Sequence, residues 1–202
     1  MTESALQEYA HGILTHVPWE HWVVMGVVSL AMTVILLARK KSSVYGAIAL
    51  GLTVFTGLVL LDTAVLIRHL GLLRHGTGHN LGFALDRLLH GSKDARSEVI
   101  SNVIVFIPFG FFLAEFFASF KRFSIGRQLG FATLASFSLS FLIECLQLVL
   151  KVGYFEVMDL VLNTEGGVVG TGVSLFLSRY LRSRQLERNE DALQQPPAPI
   201  NY

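Results

Sequence analysis

"VMDLVLNTEGGVVGTGVSLFL", Val157 to Leu177, runs for 21 residues without a basic side chain or a proline. At 1.5 Å per residue a helix of that length is about 31 Å long, close to the hydrocarbon thickness of a bilayer. Its polar residues are not scattered. Asp159, Asn163, Gly166, Gly170 and Ser174 stand at i, i+4, i+7, i+11 and i+15, which puts them on one face of a helix. Glycines remove side chains where another helix can approach, and Gly166-x-x-x-Gly170 has the spacing of a membrane packing motif. A segment of this kind predicts a membrane span whose polar face looks into a helix bundle.

The rest of the chain agrees. Of its 202 residues 52% are hydrophobic and 15% charged, against about a quarter charged in soluble domains, and its mean hydropathy is +0.54. The apolar residues come in blocks, and the charged faces at helical period that a soluble helical core needs are missing. Five spans are predicted: Trp22–Ala38, Val44–Ile67, Val99–Phe120, Leu129–Leu150 and Val157–Leu177. The fold class is therefore an all-α, polytopic transmembrane bundle, in three parts: an extracytoplasmic segment over residues 1–21, the transmembrane domain over 22–178, and a tail over 179–202. The acidic N-terminal segment, with Glu3, Glu8 and Glu20 and no Lys or Arg, does not read as a signal peptide. The tail is basic, then Pro-rich, and is expected to be disordered after Arg188.

Basic residues set the expected orientation. Arg39, Lys40 and Lys41, then Lys121, Arg122 and Arg127, then Arg179, Arg182, Arg184 and Arg188 all fall on one side, which the positive-inside rule makes cytoplasmic. The N-terminus is then outside, the C-terminus cytoplasmic, and the protein a multi-pass protein of a bacterial cytoplasmic (inner) membrane. Within the long outer loop, Leu81, Leu85, Leu88 and Leu89 share a helical face, so Asn80–His90 reads as a short interfacial helix. A net charge of +1 gives no reason to expect nucleic acid as a partner, and the single cysteine, Cys145, excludes an internal disulfide. All seven histidines precede residue 91; with "GTG" between His75 and His79 and no completing ligand set, no metal site and no cofactor is expected.

The fourth span carries its own stripe. Thr133, Ser136, Ser140, Glu144 and Gln147 lie within roughly an 80° arc. Depth brings the stripes together: Glu144 and Gln147 end an outward-running helix, Asp159 and Asn163 begin an inward-running one, and Asn102 lies near the outer end of the third. An ionisable group in hydrocarbon costs at least about 2.5–3.5 kcal/mol on insertion scales, so such residues mark sites. Asn102, Glu144, Gln147, Asp159 and Asn163 are the candidate polar pocket, with Glu144 and Asp159 the candidates for any acid–base chemistry. The plain alternative is that these groups only satisfy one another. Glu165 lies about 120° off this face, shallow enough to snorkel or meet Arg68 or Arg96. Asp62 is expected to pair with Arg68, and Glu115 with Lys121 or Arg122. Pro108 lacks an amide donor and loosens the third helix around Ile104; with Gly110 it is expected either to kink that helix beside the pocket or to serve packing. Phe106, Phe109 and Leu113 are expected core or lipid contacts.

"NLGF", "NVIVFIPFGFFL", "IECLQ" and "FEVMDLVLNTEGGVVG" occur in the order and rough spacing found in the VanZ-like membrane proteins, whose pattern is Asn-Leu-x-Pro-Phe, Asn-x-x-x-Phe-x-Pro-x-Gly, Glu-x-x-Gln and Asp-x-x-x-Asn-x-x-Gly. The chain resembles that family from about Val44 to Leu177. By resemblance, Asn102, Phe106, Pro108, Gly110, Glu144, Gln147, Asp159, Asn163, Gly166 and Gly170 are its signature positions. Three positions depart: "NLGF" lacks the proline, Glu165 replaces an aliphatic residue, and Gly153 stands where some members carry an arginine. The resemblance implies an association with tolerance to glycopeptides such as teicoplanin. Two readings of function follow. The first is a non-catalytic protein whose outward polar pocket binds an outer-leaflet cell-envelope lipid or modulates antibiotic access to it. The alternative is an intramembrane carboxylate- or metal-dependent enzyme acting on a lipid-linked substrate. Within the second reading a phosphatase of the His-dependent type is disfavoured, because no nucleophilic serine or cysteine with a histidine partner falls inside the spans; the non-catalytic reading ranks first. A proton or ion transporter ranks third, for want of a continuous polar path.

Overall fold

The computed structural model describes residues 18–38, 43–69, 90–91, 93–120, 123–153 and 155–194. Its described elements are five helices: α1 (Trp19–Ala38), α2 (Val44–His69), α3 (Lys93–Ala118), α4 (Ile125–Val149) and α5 (Val157–Gln194). Each is long and apolar enough to cross a membrane, and the described residues contain no strand. The five expected spans are all present.

Side-chain contacts set their alternation. His21 at the start of α1 meets Asp62 near the end of α2, and Tyr45 at the start of α2 meets Glu115 near the end of α3. Asn102 in the first half of α3 meets Asp159 at the start of α5. One end of the bundle therefore holds the α4–α5 turn with Asp62, Asn102, Gln147 and Asp159. The other holds Tyr45, Glu115 and the first turn of α4.

Hydropathy is arranged inside out. Phe176, Leu134, Val24 and Val27 are exposed, whereas Ser136, Ser140, Glu144, Gln147 and Thr171 are fully or almost fully buried. Water would reverse that arrangement; hydrocarbon favours it, because apolar surface costs nothing against lipid while polar groups need protein partners. The chain is a multi-pass membrane protein.

The α3–α5 pair is the most extensive helix contact, followed by α2 and α4 against these two; α1 packs chiefly on α2. Glycine explains the close α3–α5 approach. A methyl at Gly166 would strike the Val103 carbonyl oxygen, one at Gly170 the Ile107 carbonyl oxygen, and one at Gly110 the Gly167 backbone. The expected packing role of Gly166 and Gly170 is thus filled by α3. The apolar core gathers Leu60 of α2, Phe106, Phe109 and Leu113 of α3, and Ala132 and Ile143 of α4, so these three α3 residues are core. α1 attaches through Trp22 and Met25 against Phe55, Leu58 and Val59.

Pro108 sits within an unbroken α3 with its ring on the outward, exposed side, so the ring does not line the bundle interior; Gly110 does. Beyond Leu177, α5 continues as a helix to Gln194, so residues 189–194 are helical where disorder was expected; the rest of the tail lies outside the described residues. The expected interfacial helix over Asn80–His90 lies, apart from His90, outside the described residues.

Candidate functional site

The turn from α4 to α5 builds the site. The amide of Val152 donates to the Gln147 carbonyl (2.9 Å) and that of Lys151 to the Leu148 carbonyl (3.2 Å), the paired bonds of a Schellman motif. Lys151 takes the left-handed position, with φ 57°, and Val152 is buried beneath the turn. The chain then reverses so tightly that the end of α4 faces the start of α5.

There the Glu144 carboxylate does what a capping side chain usually does within one helix. Its Oε2 accepts the backbone N–H of Glu156 at 2.7 Å, and the Glu156 carbonyl accepts the amide of Leu160 at 3.3 Å. A carboxylate from α4 therefore caps α5, where the helix dipole carries about half a positive charge. Three residues on, Asp159 accepts Asn102 Nδ2 at 2.6 Å, which ties α5 to α3. About one turn deeper, Asn163 Nδ2 donates to Ser140 Oγ at 2.9 Å. Asn102, Glu144, Asp159 and Asn163 thus form a ladder at the α3–α4–α5 junction.

The fifth predicted member is at the same end but faces another helix. Gln147 Nε2 donates to the Ala64 carbonyl of α2 at 2.9 Å. Of the α4 stripe, Thr133 bonds back to its own Leu129 carbonyl and stays outside the ladder. Ser136 Oγ is fully buried against Gly167 and has no hydrogen-bond partner among the described residues.

Sequence reasoning passed over Glu156. It is 6% exposed, beside Glu144 at 1% and Asp159 at 8%, so three carboxyl-bearing residues are buried at this end. Its spacing of three before Asp159 was the available signal. No group of three His, Cys, Asp or Glu among the described residues has a metal-holding arrangement. Chemically the cluster is rich in acceptors and suits hydrogen-bond donors and cations better than bare anions.

Two charged groups have described partners that the sequence did not suggest. Asp62 Oδ1 lies 2.9 Å from His21 Nδ1; the side chain of Arg68 lies outside the described residues. Glu115 is bound at both oxygens, by Ser174 Oγ at 2.7 Å and by the Tyr45 hydroxyl, while Lys121 and Arg122 lie outside the described residues. The buried polar column of α5 thus reaches the far end of the bundle through Thr171, which donates to the Gly167 carbonyl at 2.9 Å and the Gly110 carbonyl at 3.3 Å. Glu165 is exposed.

Five apolar spans around a buried carboxylate–amide junction define a multi-pass α-helical membrane protein with a polar interior. The model of the family described as VanZ/LLP1 matches residues 24–178, and the chain belongs to that family. It is similar to Protein VanZ of Enterococcus faecium, with 34% identity over 91 residues, which is 45% of this chain and 52% of that protein. The match therefore spans about half the length of the curated relative. No solved structure matches.

Proposed function

We propose that this protein binds a cell-envelope lipid, or modulates the access of glycopeptide-type antibiotics to one, through the junction of α3, α4 and α5. The observation that carries the reading is the burial of Glu144, Glu156 and Asp159 together at one end of a membrane bundle. Burying carboxyl groups is expensive, and an intramembrane ionisable group is by default a functional one. The positive-inside rule puts this end outside, since Arg127 and the run from Arg179 to Arg188 lie toward the other. An amphiphile in the outer leaflet would bring hydroxyl or amine donors to the carboxylates and lay its chains against the apolar exterior. The family's association with glycopeptide tolerance fits such a target.

The test is purification in mild detergent and identification of the co-purifying lipids from wild type and Asp159→Ala. The expected result is one lipid class enriched with the wild type and depleted with the variant. Identical lipids in identical amounts from both would remove the main support for the reading.

A further inference from the structure

The end of the bundle away from the α3–α4–α5 junction carries its own buried polar groups. Glu115 of α3 is 7% exposed. Ser174 Oγ of α5 donates to its Oε1 at 2.7 Å, and the Tyr45 hydroxyl of α2 donates to its Oε2. One donor on each oxygen is the pattern of an ionised, acceptor-only carboxylate. A single negative charge is therefore held among three helices. Among the described residues no basic side chain pairs with it: the ion pairs join His21 to Asp62 and Arg184 to Glu187, while Arg127, Arg179 and Arg182 are exposed.

A second buried acceptor stands at the same level. α4 turns Gln128, Ala132, Ser136, Ser140 and Glu144 inward at steps of four, and all are buried. Ser140 meets Asn163 and Ser136 meets Gly167, so the two antiparallel helices pass each other turn by turn. Two turns further on, Gln128 comes level with Ser174 and Leu175. Gln128 is 7% exposed and its Nε2 donates to the Phe123 carbonyl at 3.2 Å. Its Oε1 is buried with no partner among the described residues. A buried amide oxygen left without a donor is rare in a folded protein and points to a group that completes it.

Charge says which group fits. Water satisfies Gln128 but brings no charge to Glu115, and a buried charge without an opposite one is costly. With one carboxylate in place, a divalent ion would leave a positive charge over. A monovalent ion matches it. Hard cations take oxygen ligands, and cation sites inside membrane bundles are built from such oxygens. The two hydroxyls that donate to Glu115 keep lone pairs free to face an ion. We propose that this end of the bundle binds a monovalent alkali cation between the Glu115 carboxylate and Gln128 Oε1, with the Ser174 and Tyr45 hydroxyls as further oxygen ligands. The site is separate from the junction of α3, α4 and α5 and independent of lipid binding there.

The test is thermal unfolding of the full chain in detergent, prepared free of alkali ions, as NaCl or KCl replaces choline chloride at constant ionic strength. The expected result is a saturable rise in melting temperature with at least one of the two salts, about 3–6 °C at ten times the dissociation constant. Glu115→Gln keeps the shape of the side chain without its charge and should show no rise. Gln128→Leu should need about 5- to 10-fold more salt for half the rise. Asp159→Asn, at the opposite end, should keep the full rise. The inference is overturned by no dependence on either salt, which would mean that water or a basic side chain answers Glu115. It is overturned equally by a rise that survives Glu115→Gln, by indifference to Gln128→Leu, or by loss of the rise in Asp159→Asn.

Discussion

Replacing Gly170 with alanine puts a methyl group onto the Ile107 carbonyl of α3, with the Phe111 amide nitrogen close behind. Both obstacles are backbone, so no rotamer change can clear the space. Restoring ordinary contact requires α3 and α5 to separate locally by about 1 Å. A gap of even 0.5–1 Å forfeits about a quarter to a half of each dispersion well it opens, and it opens along the most extensive helix pair in the bundle. Overpacking of this kind costs about 1–3 kcal/mol. At about 2–4 °C per kcal/mol for a chain of this size, the melting temperature of Gly170→Ala in detergent should fall by about 2–12 °C. The control is Gly130→Ala in α4, where nothing lies within 4 Å of the added carbon; it should melt at or slightly above the wild-type temperature, since alanine favours a helix over glycine. Equal effects from the two substitutions, measured by thermal unfolding under one detergent condition, would refute the reasoning that α3 and α5 meet backbone to backbone.

Other substitutions probe the polar ladder and its turn. Asn102→Ala takes away the amide that Asp159 holds at 2.6 Å and should destabilise by about 1–3 kcal/mol, read as a lower melting temperature and, with the proposed lipid function, as loss of the same lipid class that Asp159→Ala loses. Ser136→Ala should do the reverse: its hydroxyl is buried and without a partner among the described residues, so removing it raises stability by up to about 1 kcal/mol, and a large loss of stability would show that the hydroxyl has a partner. Tyr45→Phe deletes one of the two hydroxyls on buried Glu115 and should cost about 1–3 kcal/mol in the same unfolding assay, without changing co-purifying lipid, because that group lies at the other end of the bundle. Lys151→Gly relieves a left-handed side chain at the α4 terminus and should stabilise by about 0.5–1 kcal/mol.

Much of the site was legible because its residues obey helical spacing. Glu144 and Ser140 recur on one face of α4, and Asp159 and Asn163 on one face of α5, so two stripes and a depth argument were enough to bring them to one junction. The partners were not legible. Asp62 meets His21 across 41 residues of chain and Glu115 meets Tyr45 across 70, and no local periodicity encodes such distances. Nearby basic residues were the natural expectation because charge attraction is the only pairing signal a sequence displays. Gln147 illustrates the same limit: its face on α4 was right, but the carbonyl it binds belongs to α2.

The length of the apolar runs, their glycine and carboxylate spacing, and the family motifs determined by themselves that this chain makes a five-span helical bundle with polar residues turned inward. Hydrocarbon enforces both, since every backbone polar group must be satisfied within its helix and every buried ionisable group must find company. Only tertiary structure decided that Glu144 caps a helix other than its own, that Glu156 joins it, and that Glu165 is exposed while its neighbours Asp159 and Asn163 are buried. Those outcomes depend on how tightly the α4–α5 turn reverses and how closely glycine lets α3 approach α5, which are properties of packing in three dimensions and not of any single helix.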